Sequence, residues 1–290
     1  MKPKYPIYIV SKGRWKLRYT SEALKKMGIF HYMVIEKQEY KKYVQFIDKS
    51  QILILPNKYL KEYNTCDNYG MSKSVGPGAA RNFCWDHSLE NGDKRHWVLD
   101  DNIYKFMRLN RNKRYYCNSS SIFRASEDFV DRYKNVPLAG MNYINFAHDR
   151  VEMPPFKINT RIYSCLLIEN NINYRWRGRY NEDTDLSIRV LRDGYCTILF
   201  NAFLIDKTGT QRMRGGNSKE FYDIEGTLPK SQMIVDLHPD IAKLSWRFNR
   251  WHHYINYSSF KKNKLIKKKN LTIPKGINNY GMVLKCVKKI

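Results

Sequence analysis

Two acidic clusters far apart in the chain carry the residue types best suited to chemistry. Asp100-Asp101-Asn102 follows the apolar run Trp97-Val98-Leu99, and Glu182-Asp183-Thr184-Asp185 opens a segment with the apolar spacing of a helix. A buried strand ending in two carboxylates and a carboxamide delivers oxygen ligands to the carboxyl edge of an α/β sheet, where ligands bind. Such oxygens suit Mg²⁺ or Mn²⁺, and a hard cation suits a diphosphate. The second cluster could supply a carboxylate that deprotonates an alcohol. With 52 Lys+Arg against 27 Asp+Glu, acids gathered into two tight groups stand out.

A third feature connects them. Gly76-Pro77-Gly78-Ala79-Ala80-Arg81-Asn82 places small residues at a helix start, where backbone can approach a bulky ligand and N–H groups attract anionic oxygens. Arg81, one turn in, can add a bidentate contact to phosphate or base.

The elements that must position these residues alternate. Tyr5 to Val10, His31 to Ile35, Ile52 to Leu55 and Trp97 to Leu99 read as strands. Residues 18–27, 39–47 and 76–89 have helical spacing between them. Strands interleaved with helices imply βαβ units and a largely parallel sheet, hence an α/β protein. Beyond residue 110 the alternation weakens. Arg111 to Asn118 is polar and aromatic, Ser126 to Tyr133 and Asp183 to Arg192 read as helices, and Tyr163 to Ile168 and Cys196 to Ile205 as strands. Gly209 to Ser218 is expected to be a mobile loop, and helices are predicted over 229–236 and 239–257. A soft boundary near 215 divides a catalytic domain, 1–215, from a helical C-terminal extension with a basic tail, 216–290.

Composition bounds the partners. The net charge of +25 argues for a polyanion such as nucleic acid or an anionic membrane, although a Lys-rich proteome would also raise it. Six cysteines without C-x-x-C or Cys/His ligand spacing fit reduced thiols. Ile7 to Val10 is too short for a signal peptide's apolar segment, and no stretch approaches membrane-spanning length. A soluble, cytoplasmic protein is expected, with oligomeric state left open.

Several segments occur together in one order: Tyr8-Ile9-Val10-Ser11-Lys12-Gly13-Arg14, Val34-Ile35-Glu36, Gly78-Ala79-Ala80-Arg81-Asn82, Val98-Leu99-Asp100-Asp101-Asn102, Asn181-Glu182-Asp183-Thr184-Asp185 and Gly215-Gly216-Asn217-Ser218. Over roughly residues 5–255 the chain resembles the TET-associated glycosyltransferase family of phages and related genomes. The resemblance implies a GT-A fold and transfer of sugar from a nucleotide-sugar, expected to be a UDP-sugar, to hydroxymethylated pyrimidines (hydroxymethylcytosine or hydroxymethyluracil) in DNA. It places Ser11, Gly13 and Arg14 over the nucleotide, Glu36 at the nucleobase, Gly78 and Arg81 facing the nucleotide, and Asp100 near the ribose. Asp101 and Asn102 would lie at the metal. Asn102 departs from the third-position Asp of many GT-A enzymes. Where many of them carry a metal-binding His, this chain has Asp206, with His238 a competing candidate otherwise read as a surface residue. Asp183 is the expected base and Glu182 its orienting neighbour, which favours inversion.

The remaining charge should serve DNA. Arg175, Trp176, Arg177 and Arg179 interleave basic and aromatic side chains beside the expected base. Arg212 and Arg214 could clamp diphosphate or DNA. Trp246, Arg247, Arg250, Trp251, His252 and His253 form another basic-aromatic group, expected on a helix with Trp246, Arg250 and His253 on one face. Lys267 and Lys268 belong to a basic run, 261–269, expected to be a solvated phosphate grip. Two alternatives stay open: a GT-A transferase with a polysaccharide or lipid-linked acceptor, and a DNA-binding protein without catalysis. The second leaves both acidic clusters idle.

Overall fold

The computed structural model describes residues 1–147, 152–208 and 226–271. In chain order, β1 is Ile7–Val10, α1 Tyr19–Lys26, β2 Tyr32–Ile35, α2 Tyr40–Tyr43, β3 Ile52–Ile54, α3 Asn57–Lys61, α4 Gly78–Glu90 and β4 Arg95–Asp100. There follow β5 Ile103–Asn110, β6 Lys113–Tyr116, α5 Ser121–Val130, β7 Leu138–Tyr143, β8 Phe156–Ile158, β9 Cys165–Glu169, α6 Glu182–Arg192 and β10 Thr197–Lys207. The described C-terminal part holds α7 Leu228–Leu237, β11 Ala242–Arg247 and β12 Arg250–Ile255.

Strands β1 to β10 form one sheet in the order β3-β2-β1-β4-β9-β7-β10-β5-β6, with β8 on β10, and β11 and β12 a second. Its first four strands are parallel, as are β7 and β10, while β9 runs antiparallel between β4 and β7. Strand alternation splits the core in two. Ile7, Ile9, Trp97 and Leu99 face α1 and α5, whereas Tyr8, Val98, Leu166 and Ile168 face α4 and α6. This helix-flanked sheet matches the expected α/β architecture and is compatible with GT-A. Among the described residues no helix is long and apolar enough to cross a membrane.

The C-terminal part departs from expectation. Residues 239–257 do not form a helix but the hairpin β11–β12, paired from Ala242↔Ile255 to Arg247↔Arg250. Phe248 and Asn249 turn it with φ of 52° and 55°, positive at both central positions as a type I′ turn requires. The same device, Arg111 and Asn112 at 49° and 59°, closes the β5–β6 hairpin over the stretch that had no assigned structure. Helical spacing over 239–257 therefore misleads, since the rings and β-branched residue that produced it also suit a pleated ribbon. Trp246, Arg250 and His253 do not share a helical face.

The basic tail is docked at its backbone. Lys267 bridges Tyr133, Lys268 N donates to Arg132 O, and the Asn263 side chain donates to Leu191 O and Tyr195 O, each at 2.8 Å. The expected free phosphate grip is thus partly a strap over the end of α5, although the Lys267 side chain remains exposed.

One buried acid ties the N-terminus to the core. Glu127 accepts Lys4 N at 2.8 Å, Tyr5 N at 3.4 Å and Trp97 Nε1 at 2.9 Å. Burial outweighs these donors and pushes its carboxyl from 4.5 up to about 7. The folded state thus holds the proton more tightly than the unfolded one. Its stabilising contribution is complete below about pH 4.5 and is lost as pH rises through 7, on the order of 3 kcal/mol in total. Glu127→Gln should therefore flatten the decline in urea midpoint between pH 5 and 8 relative to wild type. Parallel curves for the two proteins would refute this assignment.

Candidate active site

A cavity of about 360 Å³ opens at the carboxyl ends of β1, β2 and β4. Ser11, Lys12 and Arg14 of the loop after β1 line it, together with Glu36 after β2, Gly76 before α4, and Asp100, Asp101 and Asn102. Three of the sequence-separated motifs thus meet in one cleft at the sheet's carboxyl edge.

The first loop is fixed by residues that spacing did not reveal. Tyr43, fully buried, bonds Ser11 Oγ at 2.7 Å and its hydroxyl accepts Arg14 N at 3.3 Å. Glu39 accepts Gly13 N at 2.7 Å, and Gly13 has a φ of 70°. So held, Ser11 Oγ donates to Asp101 at 2.6 Å and the Arg14 guanidinium pairs with its other carboxylate oxygen. Burial raises the Asp101 carboxyl, with Arg14 and Ser11 opposing. Thr20 supports the turn from beneath, donating to Asp100 O at 2.6 Å and accepting Ile103 N at 2.9 Å.

Arg81 joins the two acidic clusters. Its guanidinium lies 2.9 Å from Asp100 Oδ1 and 2.7 Å from Glu182 Oε1, over the Trp176 ring at 4.8 Å, with only 3% of the residue exposed. Asp100's second oxygen is 3.5 Å from Lys207 Nζ, which also donates to Ser164 Oγ at 2.6 Å. Burial opposes ionisation of Asp100, yet Lys207 and Arg81 hold its carboxyl below the usual range. Glu182 moves the other way. Burial, with Asp183 and Asp100 nearby, outweighs Arg81 and a backbone hydrogen bond and pushes it up to about 7. Arg81 was expected to face the nucleotide and instead spans the acids behind the cavity wall. Gly78, expected to admit ligand, admits Tyr63, since a Cβ there would lie 1.8 Å from its hydroxyl oxygen. Gly76 and Pro77 line the cavity in its place.

A divalent cation can be tested against the donors present. Asp101 and Asn102 both line the cavity, and Asn102 Oδ1 is buried without a hydrogen-bond partner while its amide donates to Thr208 O at 3.0 Å. One carboxylate and one orphan amide oxygen fit a largely hydrated Mg²⁺ or Mn²⁺ that takes further ligands from a diphosphate. Among the described residues no group of three His, Cys, Asp or Glu could hold a metal alone. Asp206 does not join: it accepts from the Tyr104 hydroxyl and does not line the cavity. A register shift between Asp206 and Lys207 leaves Lys207 as the residue that reaches Asp100. His238 is no surface residue. It is 3% exposed and bonds Asp185 at 3.0 Å, pinning the end of α7 to α6.

The basic-aromatic stretch before α6 is mostly internal framework. Trp176 is 2% exposed and Arg179 fully buried, its guanidinium on Asp67 at 2.6 and 2.9 Å. Arg177 chelates Asp185 with two contacts of 3.1 Å. Trp176 and Arg179 are thus framework residues rather than DNA contacts, whereas the Arg177 side chain, 34% exposed, still reaches the surface. Arg175 stays partly exposed while pairing with Asp86 at 3.2 Å, and Arg247 is exposed on β11. Arg212, Arg214 and the Gly215–Ser218 motif lie outside the described residues.

Asp183 sits at the half-exposed start of α6, its carboxylate accepting Thr184 N at 2.6 Å. Asn181 precedes it in the left-handed conformation, φ 53°, and donates its amide to Lys230 O at 2.6 Å rather than capping the helix. The Asp183 charge acts on Arg81 and Glu182 on one side and on Tyr163, His253 and Tyr257 on the other. Those last three residues line a second cleft of about 330 Å³ with Arg161 and Thr184. Asp183 itself lines neither cleft: Glu182 before it pairs with Arg81 behind the first cavity, and Thr184 after it lines the second.

Removing Arg81 would leave Asp100 and Glu182 buried without their shared counter-charge. Arg81→Ala should lower unfolding free energy by about 3–5 kcal/mol in urea titrations. A loss under 1 kcal/mol would contradict the bridging role.

No curated protein matches the chain. A family model described as TET-Associated Glycosyltransferase matches residues 5–216, a span that begins just before β1 and includes both acidic clusters. The chain therefore belongs to the TET-associated glycosyltransferase family, and its chemistry is glycosyl transfer.

Proposed function

We infer that this glycosyltransferase moves a sugar from a nucleoside-diphosphate donor, a UDP-sugar in our reading, to the hydroxymethyl group of a modified pyrimidine in DNA. What supports this reading is the position of Asp183 in the chain between Glu182, paired with Arg81 behind the cavity of Asp100 and Asp101, and Thr184, which lines the cleft of Tyr163, His253 and Tyr257.

The first cavity suits the donor. Val34, Ile35, Leu55 and Leu60 offer an apolar end for a nucleobase, with Glu36 as acceptor for its N–H groups. Arg14 and Lys73 also line the cavity and would offer positive charge to a diphosphate, while Lys12 pairs with Glu36 at 3.3 Å. A Mg²⁺ or Mn²⁺ on Asp101 and Asn102 would add Lewis-acid stabilisation of that leaving group. The second cleft suits an acceptor nucleotide, with rings to stack on the base and Arg161 for a phosphate. In the reaction, Asp183 takes the hydroxymethyl proton as that oxygen bonds to the anomeric carbon. The bond from that carbon to the diphosphate oxygen breaks, and its electron pair departs with the diphosphate. A single displacement of this kind inverts the anomeric centre. Glu182, held by Arg81, orients the reactants. The net charge of +25 would draw in a polyanionic acceptor.

Incubation with labelled UDP-sugars should label DNA containing 5-hydroxymethylcytosine or 5-hydroxymethyluracil and leave unmodified DNA blank. Asp183→Asn should lower kcat by about 10²–10⁴ with little change in donor KM. Turnover near wild type in that variant would exclude Asp183 as base, and label appearing only on polysaccharide or lipid acceptors would replace the DNA assignment. Chelation with EDTA should abolish transfer and Mg²⁺ or Mn²⁺ restore it, whereas full activity in EDTA would remove the cation from the scheme.

A further inference from the structure

The β11–β12 hairpin carries features that neither cleft explains. Phe248 at its turn is 87% exposed, and Trp246 behind it 58% exposed. Large apolar side chains so presented on a water-facing tip are held there at a cost unless they enter something. Trp246 and Trp251 pack edge to face at 5.2 Å, stiffening the ribbon below the tip, and Phe248 lies 6.1 Å from the His252 ring. Arg247 and Arg250 flank the turn, and no acid occurs between Ala242 and Ile255. The root is anchored, since Ile255 and Tyr257 pack with Ile188 and Leu191 of α6 and Ile234 of α7. Trp251 N also donates to Thr227 Oγ1 at 3.0 Å. A rigid ribbon, cationic at its shoulders and aromatic at its point, leads directly to the cleft beside Asp183.

We propose that this hairpin is a wedge for duplex DNA, with Phe248 inserting between stacked base pairs while Arg247 and Arg250 grip the flanking phosphates. The proposal rests on the DNA-acceptor reading above and adds a mode of engagement to it. An apolar side chain driven between base steps unstacks and kinks the duplex, and neighbouring cations hold the deformed backbone. Distortion of this kind would help the acceptor base leave its stack and reach the cleft at the hairpin's root. Charge complementarity favours DNA over a protein partner, because the ribbon carries Lys243, Arg247 and Arg250 and no Asp or Glu.

The test uses the full chain and an unmodified duplex carrying 2-aminopurine, whose fluorescence rises when its stacking is broken. Wild type should bind at low salt and raise the fluorescence several-fold. Phe248→Ala should fold with unchanged stability, since the ring is exposed, and bind within a few-fold of wild-type affinity, yet lose the rise. Phe248→Trp should keep it. Arg247→Ala and Arg250→Ala should each weaken binding and reduce the salt slope by about one. A full rise with Phe248→Ala, or tight wild-type binding with no rise, would overturn the wedge. Phe248-dependent binding to anionic lipid vesicles without binding to the duplex would overturn it as well. Sugar transfer to single-stranded hydroxymethylated DNA, which needs no unstacking of a duplex, is a separate measurement. An intact fluorescence response with no transfer to hydroxymethylated DNA would sink the acceptor assignment instead.

Discussion

A single buried guanidinium sets the geometry on which the site depends. Arg81 belongs to α4, Asp100 to the end of β4 and Glu182 to the first turn of α6, and the three meet through contacts of 2.7 and 2.9 Å. Two carboxylates could not remain ionised so close together in a dry wall without a shared cation. The bridge therefore couples the cavity-lining carboxyl edge of the sheet to the helix that carries Asp183. It also divides the acids by state, since Asp100 is held low by Lys207 and Arg81 while Glu182 is raised to about 7.

Around that bridge the positive charge of the chain separates into two populations. One is internal: Arg81, Arg95, Arg177 and Arg179 each meet a carboxylate, and three of the four are essentially shut away from water. These residues stitch loops that contain little apolar material onto the sheet. The other population stands on the surface, at the cavity rim and on the hairpin. Only this second group bears on a polyanionic partner, so the net charge overstates the cationic surface available to one.

The two hairpins divide the labour of the fold differently. The β5–β6 ribbon extends the main sheet from β10, whereas β11–β12 stands apart as a two-stranded sheet seated on α7. That second ribbon lies beyond the matched family span of 5–216. Its docking on α6, reinforced by the buried His238–Asp185 contact, places it beside the helix that opens with the second acidic cluster. The extension thus packs against the family-matched part of the chain at α6 and lines the second cleft through His253, Tyr254 and Ile255.

The sequence by itself determined the alternating β1–β4 half, the acidic strand end, the acidic start of α6 and the family. All of these are written in local pattern: β-branched runs, glycine breaks and short motifs in fixed order. The loop anchors Tyr43 and Glu39, the counter-ion Lys207, and Tyr63 against Gly78 left no local trace, because each acts on a residue remote in the chain. Burial decided the fate of Trp176, Arg179 and His238, which in sequence resemble surface contacts as much as framework. The hairpin at 242–255 was misread for a related reason. An array of aromatic and basic residues satisfies helical and strand spacing alike, and only left-handed backbone at Phe248 and Asn249 together with cross-strand pairing chose between them. Local chemistry fixes which groups are available. Long-range packing and desolvation decide which of them face the cleft and in what charge state.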